Sequence, residues 1–218
     1  MFKINLIGSD PELVLLDSSG NPTSAIGLYT HHDGVKVYSD NVLAEFSHTP
    51  FPPKEFAEGM TAAMGTVQQA VSDFQPGCHY TIGQCEGLYP KNQLCTPEAH
   101  AIGCAPFQNA YNLGVNRTPT PYMNNFRYAG GHIHIAYDLD TLPPHLLIQL
   151  LDERLLPLDP NHNQTPRSDF YGAEGSFRFK PYGVEYRAVS NWWLANPQIV
   201  VDVLADIELH VNKTYYGA

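Results

Sequence analysis

The chain has 218 residues, of which 43% are hydrophobic and 16% are charged, so it can bury the core of one domain, and we expect a single domain over residues 1–218. Its 22 acidic and 12 basic side chains give a formal charge of -10, which argues against a broad surface for nucleic acid. It contains no apolar run near the roughly 20 residues of a membrane helix and no recognisable secretory signal or anchor. Together with only four cysteines, this predicts a cytoplasmic protein without a membrane partner.

The N-terminal third has the pattern of short strands followed by one helix. We predict strands at residues 2–7, 11–16, 35–38 and 42–46, the first two separated by a turn at Gly8-Ser9-Asp10. Large apolar residues then recur at spacings of three and four from Phe56 to Phe74. This period predicts an amphipathic helix that begins after Pro52-Pro53 and ends before Pro76.

The remainder of the chain alternates between loops, strands and helices. Residues 76–131 have no sustained period and hold all four cysteines, which favours long loops with short strands. Beyond them we predict a strand at 133–137, a helix at 143–156, a hairpin of 177–180 with 184–189, and a helix at 197–215. The whole pattern predicts an α+β fold with a mainly antiparallel sheet and helices packed on one side.

Three of the six arginines, Arg167, Arg178 and Arg187, fall within 21 residues of one another. Because strand side chains alternate between faces, we expect Glu185 and Arg187 to point the same way, with Arg178 across the hairpin from them. Such a group is often only a structural ion pair. The surrounding glycines and aromatic residues favour a site instead, since guanidinium groups suit phosphate oxygens and carboxylates.

The segment Gly130-Gly131-His132-Ile133-His134 places two imidazoles on one face of a strand. The pair is either a metal or phosphate contact or two solvated residues on the outer face. Two acids, Glu12 and Glu45, are candidates to converge on it. Taken alone, Glu45 is expected to be exposed. Several carboxylates with one histidine would suit magnesium better than zinc.

In this order, the motifs GSDPELVL, DNVLAEF, IGCAPFQNAYN, RYAGGHIHI and RSDFYGAEGSFRFKPYGVEYRAVSNWWL resemble the phage-encoded carboxylate-amine ligases of type 2, often called amidoligases. That family in turn looks like a compact branch of the wider glutamine synthetase and glutamate-cysteine ligase superfamily. The resemblance implies a glutamine synthetase-like catalytic fold, a curved antiparallel sheet around ATP and Mg²⁺.

The resemblance also implies roles for individual residues. The implied metal ligands are Glu12, Glu45, His132 and Glu185. The implied nucleotide-binding residues are His132, His134, Arg167 and Lys180. The implied catalytic residues are Arg178, Glu185 and Arg187, which would hold the transferred phosphate, the substrate carboxylate or a metal. The chain is much shorter than the synthetases, so their substrate loops cannot be placed on it.

Ligases of this kind join a carboxylate to an amine through an acyl phosphate made from ATP. Magnesium and arginine neutralise the phosphate charge, and an acid such as Glu12, Glu45 or Asp40 would take the amine proton. The chain has neither a GxxxxGK[ST] loop nor a GxGxxG after a strand, which argues against the common ATP-binding frameworks but not against a sheet-based site. We therefore expect ATP and Mg²⁺ as cofactors, a carboxylate and an amine (small molecules or peptides) as substrates, and possible homo-oligomers.

Two other functions stay open at this point. A metal-dependent hydrolase would use the histidines and acids to activate water, and a noncatalytic phage protein would keep the fold as a binding or assembly module. A structural zinc site is a further alternative, formed by Cys78, Cys85, Cys95 and Cys104 with His79 and His100 nearby. Its spacings lack the close CxxC pairs that indicate such a site.

Overall fold

The computed structural model describes residues 1–100, 107–115, 125–162 and 172–217. Within them, all strand pairings are antiparallel and form sheets of five, four, three and two strands. The strands are β1 (Ile4–Ser9), β2 (Glu12–Leu13), β3 (Leu15–Leu16), β4 (Pro22–Thr23), β5 (Tyr29–His32), β6 (Val35–Asp40), β7 (Leu43–His48), β8 (His79–Tyr80), β9 (Glu86–Leu88), β10 (Gln108–Asn109), β11 (Phe126–Tyr128), β12 (Ile133–Tyr137), β13 (Ser176–Lys180) and β14 (Gly183–Tyr186).

Two sheets carry the candidate site. The five-stranded sheet has the order β1-β12-β14-β13-β10, and the four-stranded sheet has the order β2-β7-β6-β5. The smaller sheets are β4-β3-β8 and β11-β9. The predicted 177–189 hairpin is confirmed as β13 and β14, with Arg178 paired directly with Glu185.

The N-terminal strands differ from the prediction in three ways. Gly8 and Ser9 continue β1 instead of forming a turn, because both pair with β12. The single strand predicted at residues 11–16 is two short strands, since the chain changes sheets between them: Leu13 pairs with Ala44, and Leu15 pairs with Tyr80. Strand β5 had no counterpart in the prediction.

Four α-helices lie within the described residues: α1 (Pro53–Phe74), α2 (Pro97–His100), α3 (Pro144–Arg154) and α4 (Gln198–Val211). Helix α1 has the predicted bounds and places a proline in its first turn, where the missing N–H is not needed. The two later helices end earlier than predicted. Helix α3 gives way to a 3₁₀ turn around Pro157, and α4 continues as a wider turn at Asn212–Tyr216.

Helices α1, α3 and α4 share one hydrophobic core with the five-stranded sheet. In β12, Ile133 and Ile135 are fully buried in that core, so His132 and His134 lie on the opposite face, as predicted. The α+β class is confirmed, while the glutamine synthetase-like arrangement stays a prediction. None of the described helices combines the length and the apolar character needed to cross a membrane.

Candidate functional site

Three carboxylates from the four-stranded sheet form the first cluster, Glu12, Asp40 and Glu45. Glu12 in β2 lies directly opposite Glu45 in β7, and Asp40 ends the neighbouring strand β6. The three groups each offer an oxygen within 4.8 Å of the others, a spacing that can hold one metal ion. The expectation of an exposed Glu45 is wrong, because the side chain is half-buried between β6 and β2.

The first cluster is short of positive charge. Burial, followed by repulsion from Glu12 and Asp10, raises the pKa of Glu45 to about 9, although the Tyr38 hydroxyl donates a hydrogen bond to it. Burial also raises the pKa of Asp40, against the opposing effect of the Arg187 and Arg178 charges. A divalent cation would relieve this repulsion, and three carboxylates are the hard oxygen donors that Mg²⁺ takes.

The backbone around Glu12 is held from two directions. Its carboxylate accepts a hydrogen bond from the Gly130 N–H at 2.7 Å, and its carbonyl oxygen accepts one from the buried Asn191 amide at 2.8 Å. The next glycine, Gly131, has no room for a side chain, because a Cβ there would lie 2.0 Å from the Ser190 carbonyl oxygen. The paired glycines therefore allow backbone to approach backbone beside the histidines.

The second cluster lies on the five-stranded sheet and is formed by Asp10, His134 and Glu185, again within 4.8 Å of one another. His134 pairs with Glu185 across β12 and β14. Its Nε2 is 2.9 Å from Asp10 Oδ1, and its Nδ1 is 2.5 Å from the Tyr182 hydroxyl. His132 Nδ1 lies 3.4 Å from the same Asp10 oxygen. The two predicted histidines thus meet at one acid.

The charge states of the second cluster differ from those of the first. Burial by itself would raise the pKa of Asp10, but its hydrogen bonds with His132 and His134 outweigh burial and lower the pKa well below the usual range. Burial, with the nearby Arg187 charge, lowers the pKa of His132 to about 4. At neutral pH Asp10 is therefore an anion beside a neutral His132.

Glu185 is the centre of a cationic group. Its side chain is fully buried and is ion-paired with Arg187, with Lys180 at 2.7 Å and with Arg178 at 3.4 Å. Burial alone would raise the pKa of Glu185, but His132 and Arg187 lower it to about 2. Three cations around one carboxylate leave excess positive charge, which suits an anion such as phosphate. They also compete with a metal ion for Glu185, so the first cluster is the stronger candidate for Mg²⁺.

The structure thus brings together most of the predicted residues. Glu12 and Glu45 meet in the first cluster. His134 and Glu185 belong to the second, and the residues around it are Arg178, Arg187, Lys180 and His132. The reading of the histidines as solvated is wrong for His132, which is 3% exposed. Arg167 lies outside the described residues. The ligand and catalytic roles of all these residues stay predictions.

Sequence reasoning missed two residues, Asp10 and Tyr38. Asp10 stands two positions before Glu12, the spacing that places side chains on one side of an extended chain, so this signal was present. Tyr38 is the neighbour of Glu45 across β6 and β7. Its role depends on strand register, which the sequence does not specify.

The cysteines give no support to the zinc alternative. Among the residues that the structure describes, no group of three possible metal ligands includes a cysteine. Cys78 and Cys85 are buried, and Cys95 is exposed. Cys104 falls outside the described ranges.

Comparison with known proteins bears on the C-terminal part of the chain, which contains β12, β13, β14 and their histidines and arginines. Residues 118–216 match the family model of the phage phiEco32-like COOH.NH2 ligase-type 2. This match supports the predicted family over that part of the chain. The family description supports the ligase and phage predictions, and it covers the cationic group but not the first acid cluster. Among curated proteins, the comparison finds no match to the chain.

Proposed function

We propose that the chain is an ATP- and Mg²⁺-dependent carboxylate-amine ligase that works through an acyl phosphate. The observation that carries this proposal is the position of a carboxylate cluster beside a cationic group that is centred on Glu185. The charges of Arg187 and Arg178 act on Asp40 of the first cluster, which supports placing the acidic cluster and the cationic group side by side. A metal-bound triphosphate needs both kinds of region.

The donor set fits magnesium. Glu12, Asp40 and Glu45 would hold the ion, and the bound ion would supply charge neutralisation to the phosphate oxygens. Glu12 is well placed for this task, because Gly130 and Asn191 fix its carboxylate and backbone. Tyr38 fixes Glu45 in the same way.

The arginines and Lys180 would bind and orient the phosphate that is transferred. In the first step an oxygen of the substrate carboxylate attacks the γ-phosphorus, the bond from phosphorus to the β,γ-bridging oxygen breaks, and ADP leaves. Arg187 and Arg178 stabilise the charge that develops on the transferring group. In the second step the amine nitrogen attacks the acyl carbon, the bond to the phosphate oxygen breaks, and inorganic phosphate and one proton are released.

Titration calorimetry with ATP, with and without MgCl2, tests the proposal. We expect binding that requires Mg²⁺ and that weakens at least tenfold in Arg187→Ala. Since Arg187 is nearly buried, the more exposed Arg178→Ala serves as a second variant. Arg154→Ala is the matched control, because Arg154 pairs with Asp206 on the surface.

No binding of Mg-ATP by the folded protein would overturn the ligase assignment. The same conclusion follows if both arginine variants bind Mg-ATP as tightly as the unmodified chain. Where binding is found, release of ADP that requires an added acid and an added amine supports the ligase, and turnover without ATP contradicts it in favour of a hydrolase.

A further inference from the structure

A cavity of about 290 Å³ opens beside Asp10 and His134. Its floor is the face of β1 and β12 that points away from the helices, where Leu6 lies opposite Ala136 and Gly8 lies opposite His134. Gly8 has no Cβ to occupy this space. The volume is at the lower end of the range for small-molecule sites, which start at roughly 300 Å³.

Several polar atoms in the walls of the cavity are engaged in hydrogen bonds. His48 Nδ1 is 2.9 Å from the Thr49 carbonyl oxygen and must donate to it, so Nε2 accepts the hydrogen of Ser9 Oγ at 2.8 Å. The ring stacks on Phe51, and burial lowers the pKa of His48, which keeps the ring neutral. His134 likewise uses both nitrogens, one towards Asp10 and one towards Tyr182.

Among the residues that the structure describes, Asp10 is the one acid that lines the cavity, and no lysine or arginine lines it. A ligand that carries a carboxylate or phosphate would therefore meet repulsion here, while an ammonium group would be attracted to Asp10. The charge of the cavity is opposite to that of the group around Glu185.

The charged end of the cavity adjoins the cationic group. His132 Nδ1 lies 3.4 Å from Asp10 and 3.3 Å from Arg187, and Asp10 and Glu185 offer oxygens within 4.8 Å of each other, so the two regions adjoin directly. A ligand held at Asp10 would present its charged end towards the phosphate-binding arginines.

We propose that this cavity binds the amine substrate, with a primary ammonium at Asp10 and an aliphatic or aromatic body over Leu6 and Ala136. The inference rests on the ligase function proposed above and adds the class of amine: an uncharged apolar side group of modest size, without a second acid. Larger or acidic amines are excluded by the volume and by Asp10.

NMR titration of the whole protein with benzylamine tests this assignment, with benzyl alcohol and benzoate as probes of matched shape. We expect benzylamine to bind at least tenfold more tightly than either probe. The advantage over benzyl alcohol should disappear in Asp10→Asn. Ala136→Phe, which fills the cavity, should weaken benzylamine at least tenfold, and Ala62→Phe on the exposed face of α1 should leave it unchanged.

Equal binding of benzylamine and benzyl alcohol would overturn the proposal, and so would unchanged benzylamine binding in a folded Ala136→Phe. Ala136→Phe therefore tests the cavity as the amine site even if Asp10→Asn does not fold. A separate measurement of Mg-ATP binding distinguishes failure of the amine cavity from failure of the ligase assignment. Nucleotide binding without the amine effects overturns the amine cavity alone, whereas the amine effects without nucleotide binding support an amine site and contradict the ligase.

Discussion

Glu12 and Glu45 face each other directly across the pairing of β2 with β7, with Asp40 beside them. Like charges opposite one another destabilise a sheet, and without a cation the raised pKa of Glu45 keeps this acid protonated at neutral pH. A bound cation would lower that pKa and stabilise the three carboxylates together.

Replacing Glu45 by glutamine should separate the effect of the clustered acids on stability from the stabilisation by bound Mg²⁺. We expect Glu45→Gln to have a thermal midpoint equal to or above that of the unmodified protein without metal, because one of three clustered acids is gone. Saturating Mg²⁺ should raise the thermal midpoint of the unmodified protein by about 5–10 °C. This is the shift that about 2.7 kcal/mol of ligand stabilisation gives in a chain of this length. The variant should lose most of that shift.

Differential scanning fluorimetry with a MgCl2 titration measures both quantities. Glu58→Gln, at an exposed position of α1, is the matched control and should retain the full shift. A variant that keeps the full magnesium shift would remove Glu45 from the metal site.

A second prediction concerns pH and Asp152, far from the metal ligands in sequence. Burial raises the pKa of Asp152 to about 6, although the Tyr186 hydroxyl and the Gly175 N–H both donate hydrogen bonds to it at 2.7 Å. The fold therefore favours the protonated acid. The contribution of Asp152 to the free energy of unfolding is fully present below about pH 4 and is lost as the pH rises through about 6. The total change is about 3 kcal/mol.

Urea unfolding at pH 4, 5, 6 and 7 isolates this contribution when it is compared between the unmodified chain and Asp152→Asn. The difference in unfolding free energy between the two should change by about 3 kcal/mol over this range. Asp206→Asn, which alters a surface carboxylate paired with Arg154, is the control variant. A constant difference for Asp152→Asn would contradict the raised pKa.

The third prediction tests the close packing beside the histidines. In Gly131→Ala the new methyl group would lie 2.0 Å from the Ser190 carbonyl oxygen and 2.7 Å from Trp193 Nε1, so backbone must move. We expect a loss of about 3 kcal/mol or more, at the upper end of overpacking effects. Gly65→Ala provides the control, since that position in α1 has open space around it and should gain about 0.5–1 kcal/mol.

Guanidinium unfolding of the two glycine variants gives the measurement. If Gly131→Ala is as stable as the unmodified protein, the approach of Gly131 to Ser190 is not as close as the structure has it.

The fourth prediction concerns Asn191, which is fully buried and holds two segments together. Its Oδ1 accepts from the Gly83 N–H at 3.0 Å, and its Nδ2 donates to the Glu12 carbonyl oxygen at 2.8 Å. Asn191→Ala should cost about 2–4 kcal/mol, because it removes a side-chain partner from both backbone groups. The affinity for Mg²⁺ should fall as well, since Glu12 loses one of its supports.

Chemical unfolding and a magnesium titration of Asn191→Ala check the two effects separately. Asn5→Ala, at an exposed position, should change stability by no more than about 0.5 kcal/mol. Normal metal affinity in a destabilised Asn191→Ala would limit Asn191 to a role in folding.

The fold was predictable where local signals were strong. The 22-residue helix α1 has a clear period and a proline boundary, and the hairpin of β13 and β14 follows from alternation around a turn. The change of sheet between Leu13 and Leu15 was not predictable, because both residues are apolar and only their partners distinguish them.

In the site, too, local signals were predictable from the sequence and long-range pairings were not. Arg178, Glu185 and Arg187 could be placed together from the period of a hairpin, since their separation along the chain is short. Tyr38 could not, because its pairing with Glu45 depends on strand register. The spacing from Glu12 was a signal for Asp10, but its partner His134 comes from a strand that is distant in sequence. Long-range pairing, not residue chemistry, was the missing information.

Asp10 and Glu12 belong to different clusters, yet Pro11 alone separates them in the chain. An extended link of two residues spans roughly 7 Å and has little slack. A cation that draws in Glu12 therefore also moves or stiffens Asp10, and a ligand at Asp10 acts back on Glu12. Linkage requires the two effects to be equal, so metal and amine would each change the affinity of the other by the same factor. The total free energy of binding both is the same in either order, and the short link is what would couple the two sites.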